Sequence, residues 1–234
     1  SLLSMLCKTV LTLDDKGSGT LVQAVPSTFN DVAMTDTDAA AILYTSGTTG
    51  KSKGAVLTHG NLSSNAMALV EAWAFPPQDV LIHALPIYHT HGLFTAANTV
   101  LLSGASLLFR RRFEVDDVIS LLPKATTLMG VPTFYTRLLA HGKLSRELVG
   151  HMRLFVSGSA PLLPETHAAF EDRTGHAILE RYGMTETSMN TSNPYLGKRK
   201  AGTVGMHLSG IEVRIADPVD GVGMIQVRGP NVFQ

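Results

Sequence analysis

"AILYTSGTTGKSKGAVLTHGNL", residues 41–62, decides how the rest of the chain is read. An apolar run from Ala39 to Leu43 enters a loop of Gly, Ser and Thr that also carries Lys51 and Lys53. Such a loop supplies close-approaching backbone N–H groups, hydroxyl donors and ammonium charge, the ingredients for holding phosphate oxygens. The common Gly-x-x-x-x-Gly-Lys-[Ser/Thr] phosphate motif does not fit. Gly47 and Gly50 lie too close together, and Thr45 occupies the place of the first Gly. A surface hairpin turn is the competing reading.

From Ala39 onward, apolar runs of strand length alternate with segments of helical period. "AAAILYT", "DVLIHALPI", "ASLLFR", "TTLMGVPT" and "MRLFVSGSA" read as strands. Between them "NLSSNAMALVEAWA", "GLFTAANTVLLSG", "VDDVISLLPK" and "FYTRLLAHGKL" read as helices, and "LPETHAAFEDRTG" follows as a fifth. Continuous apolar strands point to a sheet covered on both faces. The predicted fold class is therefore α/β: a mostly parallel sheet flanked by helices, with part of a smaller antiparallel β subdomain at the C-terminal end. Asn61 reads as the N-cap of the first helix, with Leu62, Ala66, Leu69, Val70 and Trp73 near one face. The expected organisation is a β and loop segment over residues 1–38, an α/β subdomain over 39–189 and the start of a β subdomain over 190–234.

A chain of 234 residues with 44% hydrophobic content can bury a full core. Lys plus Arg and Asp plus Glu balance at 19 each, so neither a nucleic-acid footprint nor a polybasic membrane anchor is expected. Arg110–Arg112 and Lys198–Lys200 read as solvated turns. Cys7 is the only cysteine, which excludes an internal disulfide and a multi-cysteine metal site. No apolar run approaches the ~20 residues that cross a bilayer, and a cytoplasmic location is the expectation. The chain starts at Ser1 and stops at "GPNVFQ" in what reads as mid-strand, so both ends read as cut.

The quoted loop resembles the signature loop of the adenylate-forming superfamily: acyl-CoA synthetases, luciferases and carrier-protein adenylation domains. Ser52 stands where that family usually has Pro. Further segments follow in the family's order. "HALPIYHTHG" is similar to its acyl-pocket segment, "VSGSAPL" to the turn bounding adenine, "ERYGMTE" to the adenine and magnesium segment, and "GMIQVRGP" to a strand whose usual Glu is here Met224.

The resemblance implies the following roles. Thr45, Ser46, Gly47, Thr48, Thr49, Gly50, Lys51 and Lys53 hold the ATP phosphates. Ser159, Ala160, Pro161, Tyr182, Gly183 and Met184 surround adenine, with Tyr182 stacked on the base. His89, Thr185 and Glu186 are catalytic, and Glu186 carries Mg²⁺. Thr185–Glu186 read alone is equally a helix-starting pair. His91 belongs to a less general "HTHG" pattern and is assigned no role.

The acid itself is suggested by Arg137 and Arg181, since a guanidinium entering an acyl pocket is costly unless it meets an anion. A planar guanidinium matches a second carboxylate bidentately. Together with their motifs these residues look like the malonyl-CoA synthetase branch, which activates malonate and methylmalonate with ATP and CoA. Arg137, Arg181 and Ser159 are then expected on the distal carboxylate, with Thr90 and Met189 shaping the space at the α-carbon. A medium- or long-chain acyl-CoA synthetase is the second enzymatic reading. A nucleotide-binding fragment without turnover is the third. In the family, a ribose-binding Asp and a C-terminal domain with an essential Lys follow the last motif seen here, so a piece of the large N-terminal domain is expected.

Overall fold

The computed structural model describes residues 18–20, 30–46 and 52–234. The chain divides into two units, Ser1–Met34 and Thr35–Gln234, and the second contains every element described below. Residues 47–51 of the signature loop lie outside the described residues, as do Cys7 and "KTVLTLDD".

The loop joins two antiparallel strands, β1 (Ala39–Ser46) and β2 (Ser52–Thr58), paired with Thr45 opposite Lys53. This hairpin is a two-stranded sheet of its own. "AAAILYT" was expected to lie in the main sheet. It pairs instead with "SKGAVLT", and the outward-facing Ile42 and Tyr44 of β1 are exposed. The apolar run reported strand character correctly but could not report its partner.

Thr58 ends β2 and caps helix α1 (His59–Ala72). Its hydroxyl accepts from the Asn61 N–H at 3.1 Å, while Asn61 Oδ1 accepts from the Thr58 N–H at 2.9 Å. Asn61 is thus the reciprocal member of a capping box rather than the N-cap itself. Its amide also donates to the carbonyls of Pro230 and Val232, at 2.7 and 2.9 Å, tying the chain's last residues to α1.

The main sheet has seven strands in the order β4-β3-β5-β6-β7-β8-β9. Strands β3 (Val80–His83), β4 (Ser106–Phe109), β5 (Thr127–Gly130), β6 (Leu154–Ser157) and β7 (Leu179–Met184) run parallel. The connecting helices are α2 (Ala97–Ser103), α3 (Val115–Leu121), α4 (Pro132–Ala140), α5 (Arg146–Val149) and α6 (Pro164–Thr174). Parallel neighbours need such crossovers, which is why the strand and helix periods alternate. A π-helical turn, His91–Ala96, leads into α2, and a Cβ on Gly92 would fall 2.2 Å from the Pro86 carbonyl oxygen. Only glycine fits that approach.

Residues 190–207 were expected to open the smaller subdomain. They instead extend the main sheet, because β8 (Ser188–Ser192) adds antiparallel to β7 and β9 (Met206–His207) adds antiparallel to β8. The separate antiparallel pair is β10 (Glu212–Val219) with β11 (Val222–Arg228). Short strands flanked by Gly and Pro look alike in sequence whether they widen a sheet or start a new one.

The core between sheet and helices contains Trp73, Tyr135, Phe155 and Phe170, all fully buried. Phe170 meets Tyr135 and Phe155 edge-on, at 5.3 and 5.0 Å between centroids. Each such side chain contributes roughly 1.5–3 kcal/mol by burial. Trp73 donates to Ser192 Oγ and Tyr135 to the Val156 carbonyl, so their polar atoms are satisfied as well.

Candidate active site

Outside the carboxyl ends of β3 and β6, and along β7, two adjoining cavities of about 420 and 450 Å³ share Ser159, Arg181 and Gly183 in their walls. Ligands of open α/β sheets bind at this end of the strands.

The first cavity is lined by Thr45 and Lys53 from the hairpin and by His89, Thr90 and His91 from the segment after β3. Met184, Thr185, Glu186 and Met189 close its other side. Of the expected phosphate residues, Thr45 and Lys53 therefore reach the cavity, Ser46 ends β1, and Gly47, Thr48, Thr49, Gly50 and Lys51 lie outside the described residues. Thr185 and Glu186 occupy the tight turn between β7 and β8, so the alternative of a helix start does not hold. No described residue pairs with the Glu186 carboxylate; the recorded bond at this residue is from the Phe233 N–H to its carbonyl, 2.8 Å. Among the described residues no group of three or more His, Cys, Asp or Glu could hold a metal by itself.

The second cavity is lined by Ser159, Ala160, Pro161, Tyr182 and Gly183, five of the six residues expected around adenine. Met184, the sixth, lines the first cavity. Ser159 follows β6 with φ at +67°, a left-handed conformation that costs a non-glycine residue of order 1–3 kcal/mol. The turn thereby presents the Ser159 side chain to both cavities.

Arg181 is the electrostatic centre of the site. It is 3% exposed, and its Nε and Nη2 have no hydrogen-bond partner among the described residues. Burial pushes its pKa down to about 10, slightly opposed by Tyr135, so the guanidinium stays charged at neutral pH. Strand alternation explains why Glu180 does not neutralise it. The Glu180 carboxylate turns to His167 at 3.4 Å and accepts from the Gly202 N–H at 3.0 Å. Gly158 makes room for the guanidinium, since a Cβ there would come within 2.3 Å of Arg181 Cζ.

Thr90, Ser159, Arg181 and Met189 are brought together as expected of an acid pocket, but Arg137 is not among them. It is exposed on α4, with its Cζ 4.9 Å from the centroid of the Phe113 ring. One helical turn before it, Phe134 stacks on that same ring at 3.9 Å, so the helix period carries Arg137 to Phe113 and away from the cavities.

Three contributors escaped the sequence reading. His91 is 2% exposed, its Nδ1 lies 3.2 Å from Ser159 Oγ, and its Nε2 is buried without a partner among the described residues. Burial, and then the charges of Arg181, His89 and His83, hold its imidazole well below the usual value. His89 is exposed, and its Nδ1 accepts from the His91 N–H at 3.2 Å. Asn65 on α1 clamps Met189 with two bonds, donating to its carbonyl at 2.7 Å and accepting from its N–H at 3.1 Å. Gly158 is the third. The "HTHG" and "VSGSAPL" segments marked the neighbourhoods of His91 and Gly158; nothing local marked Asn65.

Donors and positive charge gathered at the carboxyl ends of parallel strands define an α/β binder of small anionic ligands. The chain belongs to the AMP-binding enzyme family, whose model matches residues 5–234. The ATP-bound structure of MatB from Rhodopseudomonas palustris is 55% identical, with a TM-score of 0.91 over 97% of this chain and 47% of that one. A malonyl-CoA ligase solved as a ternary product complex with methylmalonyl-CoA and AMP is 42% identical, with a TM-score of 0.82 over 88% of this chain and 46% of that one. A mitochondrial malonate–CoA ligase of Mus musculus is 40% identical over 236 residues, covering 83% of this chain. The chain spans 40% of that relative's length and under half of the two solved chains. Among the described residues no helix is long and apolar enough to cross a membrane.

Proposed function

We propose that this chain is the nucleotide- and acid-binding part of an ATP-dependent ligase that activates malonate or methylmalonate and passes the acyl group to CoA. One carboxylate oxygen of the acid attacks the α-phosphorus of ATP, pyrophosphate leaves, and an acyl-adenylate forms. The CoA thiolate then attacks the acyl carbonyl, forming the thioester and expelling AMP.

The observation that carries the substrate is Arg181. A buried guanidinium with two nitrogens unpartnered among the described residues is stable only at the cost of its desolvation, and a second carboxylate on the ligand repays that cost. A fatty acid offers nothing to it. Ser159 lies beside Arg181 as a hydroxyl for the same carboxylate, while Thr90 and Met189 border the α-carbon. Arg137 has no part in this assignment.

Bringing two anions together is the main barrier, so alignment and charge neutralisation supply most of the catalysis. Thr45 and Lys53 hold the departing phosphates with the loop between them. Tyr182 and Ser159–Pro161 wall the adenine. His89 orients the reacting acyl-phosphate. The half-buried Glu186 carboxylate, unpaired among the described residues and with Thr185 beside it, fits a Mg²⁺ ion, because Mg²⁺ typically takes one or two carboxylates and leaves its other positions to phosphates and water. When bound, that ion supplies charge neutralisation on the phosphates. We assign the catalytic lysine of the family to a C-terminal domain outside this chain.

Acid-dependent ATP–pyrophosphate exchange tests the reading, on this chain and on the chain extended to the length of its relatives. Malonate and methylmalonate are expected to drive exchange in the extended protein, butyrate not, and the chain alone should be silent. Equal exchange with octanoate would favour a longer-chain acid. ATP binding without exchange on any acid would leave a nucleotide-binding protein.

A further inference from the structure

Ser159 can serve a carboxylate only if its hydroxyl proton points at the ligand. A hydroxyl has one proton to give, and a serine that donates elsewhere presents lone pairs to an incoming anion. The neighbour that decides the matter is His91, whose Nδ1 lies 3.2 Å from Ser159 Oγ. Two arrangements are possible. With the proton on Nε2, Nδ1 accepts from Ser159 and the serine turns its lone pairs to the cavity. With the proton on Nδ1, the ring donates and the serine proton is released.

The surroundings select the second arrangement. Among the described residues His91 Nε2 is buried without a partner, so a proton there would be a stranded donor. The Arg181 charge, and then those of His89 and His83, act on this ring. The same field and the burial disfavour an imidazolium, which rules His91 out as the general base of a Ser–His pair although the spacing suits one. The π-helical turn that starts at His91 fixes the ring's backbone, and the left-handed φ of Ser159 fixes the other partner.

We infer that His91, as its Nδ1–H tautomer, donates to Ser159 Oγ and thereby commits the Ser159 hydroxyl to a ligand carboxylate held by Arg181, making His91 a positioning residue for dicarboxylic acids. This rests on the reading of the first cavity as the acid site.

The test combines ¹⁵N NMR of the histidine rings with calorimetric binding of malonate and butyrate to the chain saturated with a non-hydrolysable ATP analogue. His91 Nε2 is expected to resonate as an unprotonated nitrogen; a protonated Nε2 overturns the inference. His91→Leu should weaken malonate about tenfold and leave butyrate within about twofold, since an unprotected bond of this kind costs about one decade. His91→Asn, whose amide can donate from the Nδ1 position, should recover malonate to within about threefold. His91→Leu added to Ser159→Ala should cost no more than Ser159→Ala alone. Equal losses for both acids, failure of His91→Asn to recover malonate, or additive losses in the double variant would each overturn it. Should His91→Leu not fold, the tautomer measurement, His91→Asn and Ser159→Ala still decide. Wild-type protein that fails to prefer malonate over butyrate would refute the acid-site reading instead.

Discussion

Replacing Arg181 by Leu should move ligand affinity and protein stability in opposite directions. In the free protein the residue is 3% exposed and two of its guanidinium nitrogens lack partners among the described residues. Removing an uncompensated buried charge relieves a desolvation cost of order several kcal/mol, and Leu fills part of the vacated volume. The variant is therefore expected to be as stable as the parent or about 1 kcal/mol more so. Malonate loses two charge-assisted hydrogen bonds worth roughly 1.5–3 kcal/mol each, so its affinity should fall about 10²–10⁴-fold. Butyrate, which presents no second carboxylate, should stay within about threefold. Isothermal calorimetry gives the affinities and chemical unfolding gives the stability. Equal losses for the two acids, or a variant several kcal/mol less stable than the parent, would refute the view that Arg181 is a binding charge waiting for its anion.

Three other outcomes follow from the geometry. Gly158→Ala places a methyl 2.3 Å from Arg181 Cζ, so it should displace the guanidinium and cut malonate affinity at least tenfold with a smaller change for ATP, read by calorimetry. Thr58→Ala removes the hydroxyl that accepts from Asn61 and should cost about 1 kcal/mol of unfolding free energy in urea. His91 and His176 both have lowered folded-state pKa values, chiefly through burial. The unfolded chain therefore binds more protons than the folded one below the ordinary histidine range, and stability contributed by these groups is lost as pH falls through it. Urea midpoints measured from pH 7.5 to 5.5 should decline, and less steeply in His176→Asn; an unchanged slope would contradict the burial argument for His176.

Much of the site was legible because its chemistry is local in sequence. Thr45 and Lys53 flank one loop, Thr185 and Glu186 share one turn, and Ser159–Pro161 form one strand exit. Arg181 was singled out for a different reason: a guanidinium expected in an acyl pocket is costly unless it meets an anion, and the structure places it in the walls of both cavities. Arg137 carried the same signal but lines neither cavity, because on a helix the facing partner depends on which turn meets which neighbour, and Phe134 and Arg137 both meet Phe113.

By itself the sequence determined the alternation of strand and helix, and hence a mostly parallel sheet, since side-chain period follows from backbone geometry one residue at a time. It also marked the short segments whose residues line the two cavities. Only the tertiary structure decided that β1 pairs with β2 outside the main sheet and that β8 and β9 widen that sheet. It alone separated Glu180 from Arg181 and set His91 against Ser159 across 68 residues of chain. Those are choices of partner, and a partner far along the chain is selected by packing and burial of the whole, which no local pattern encodes.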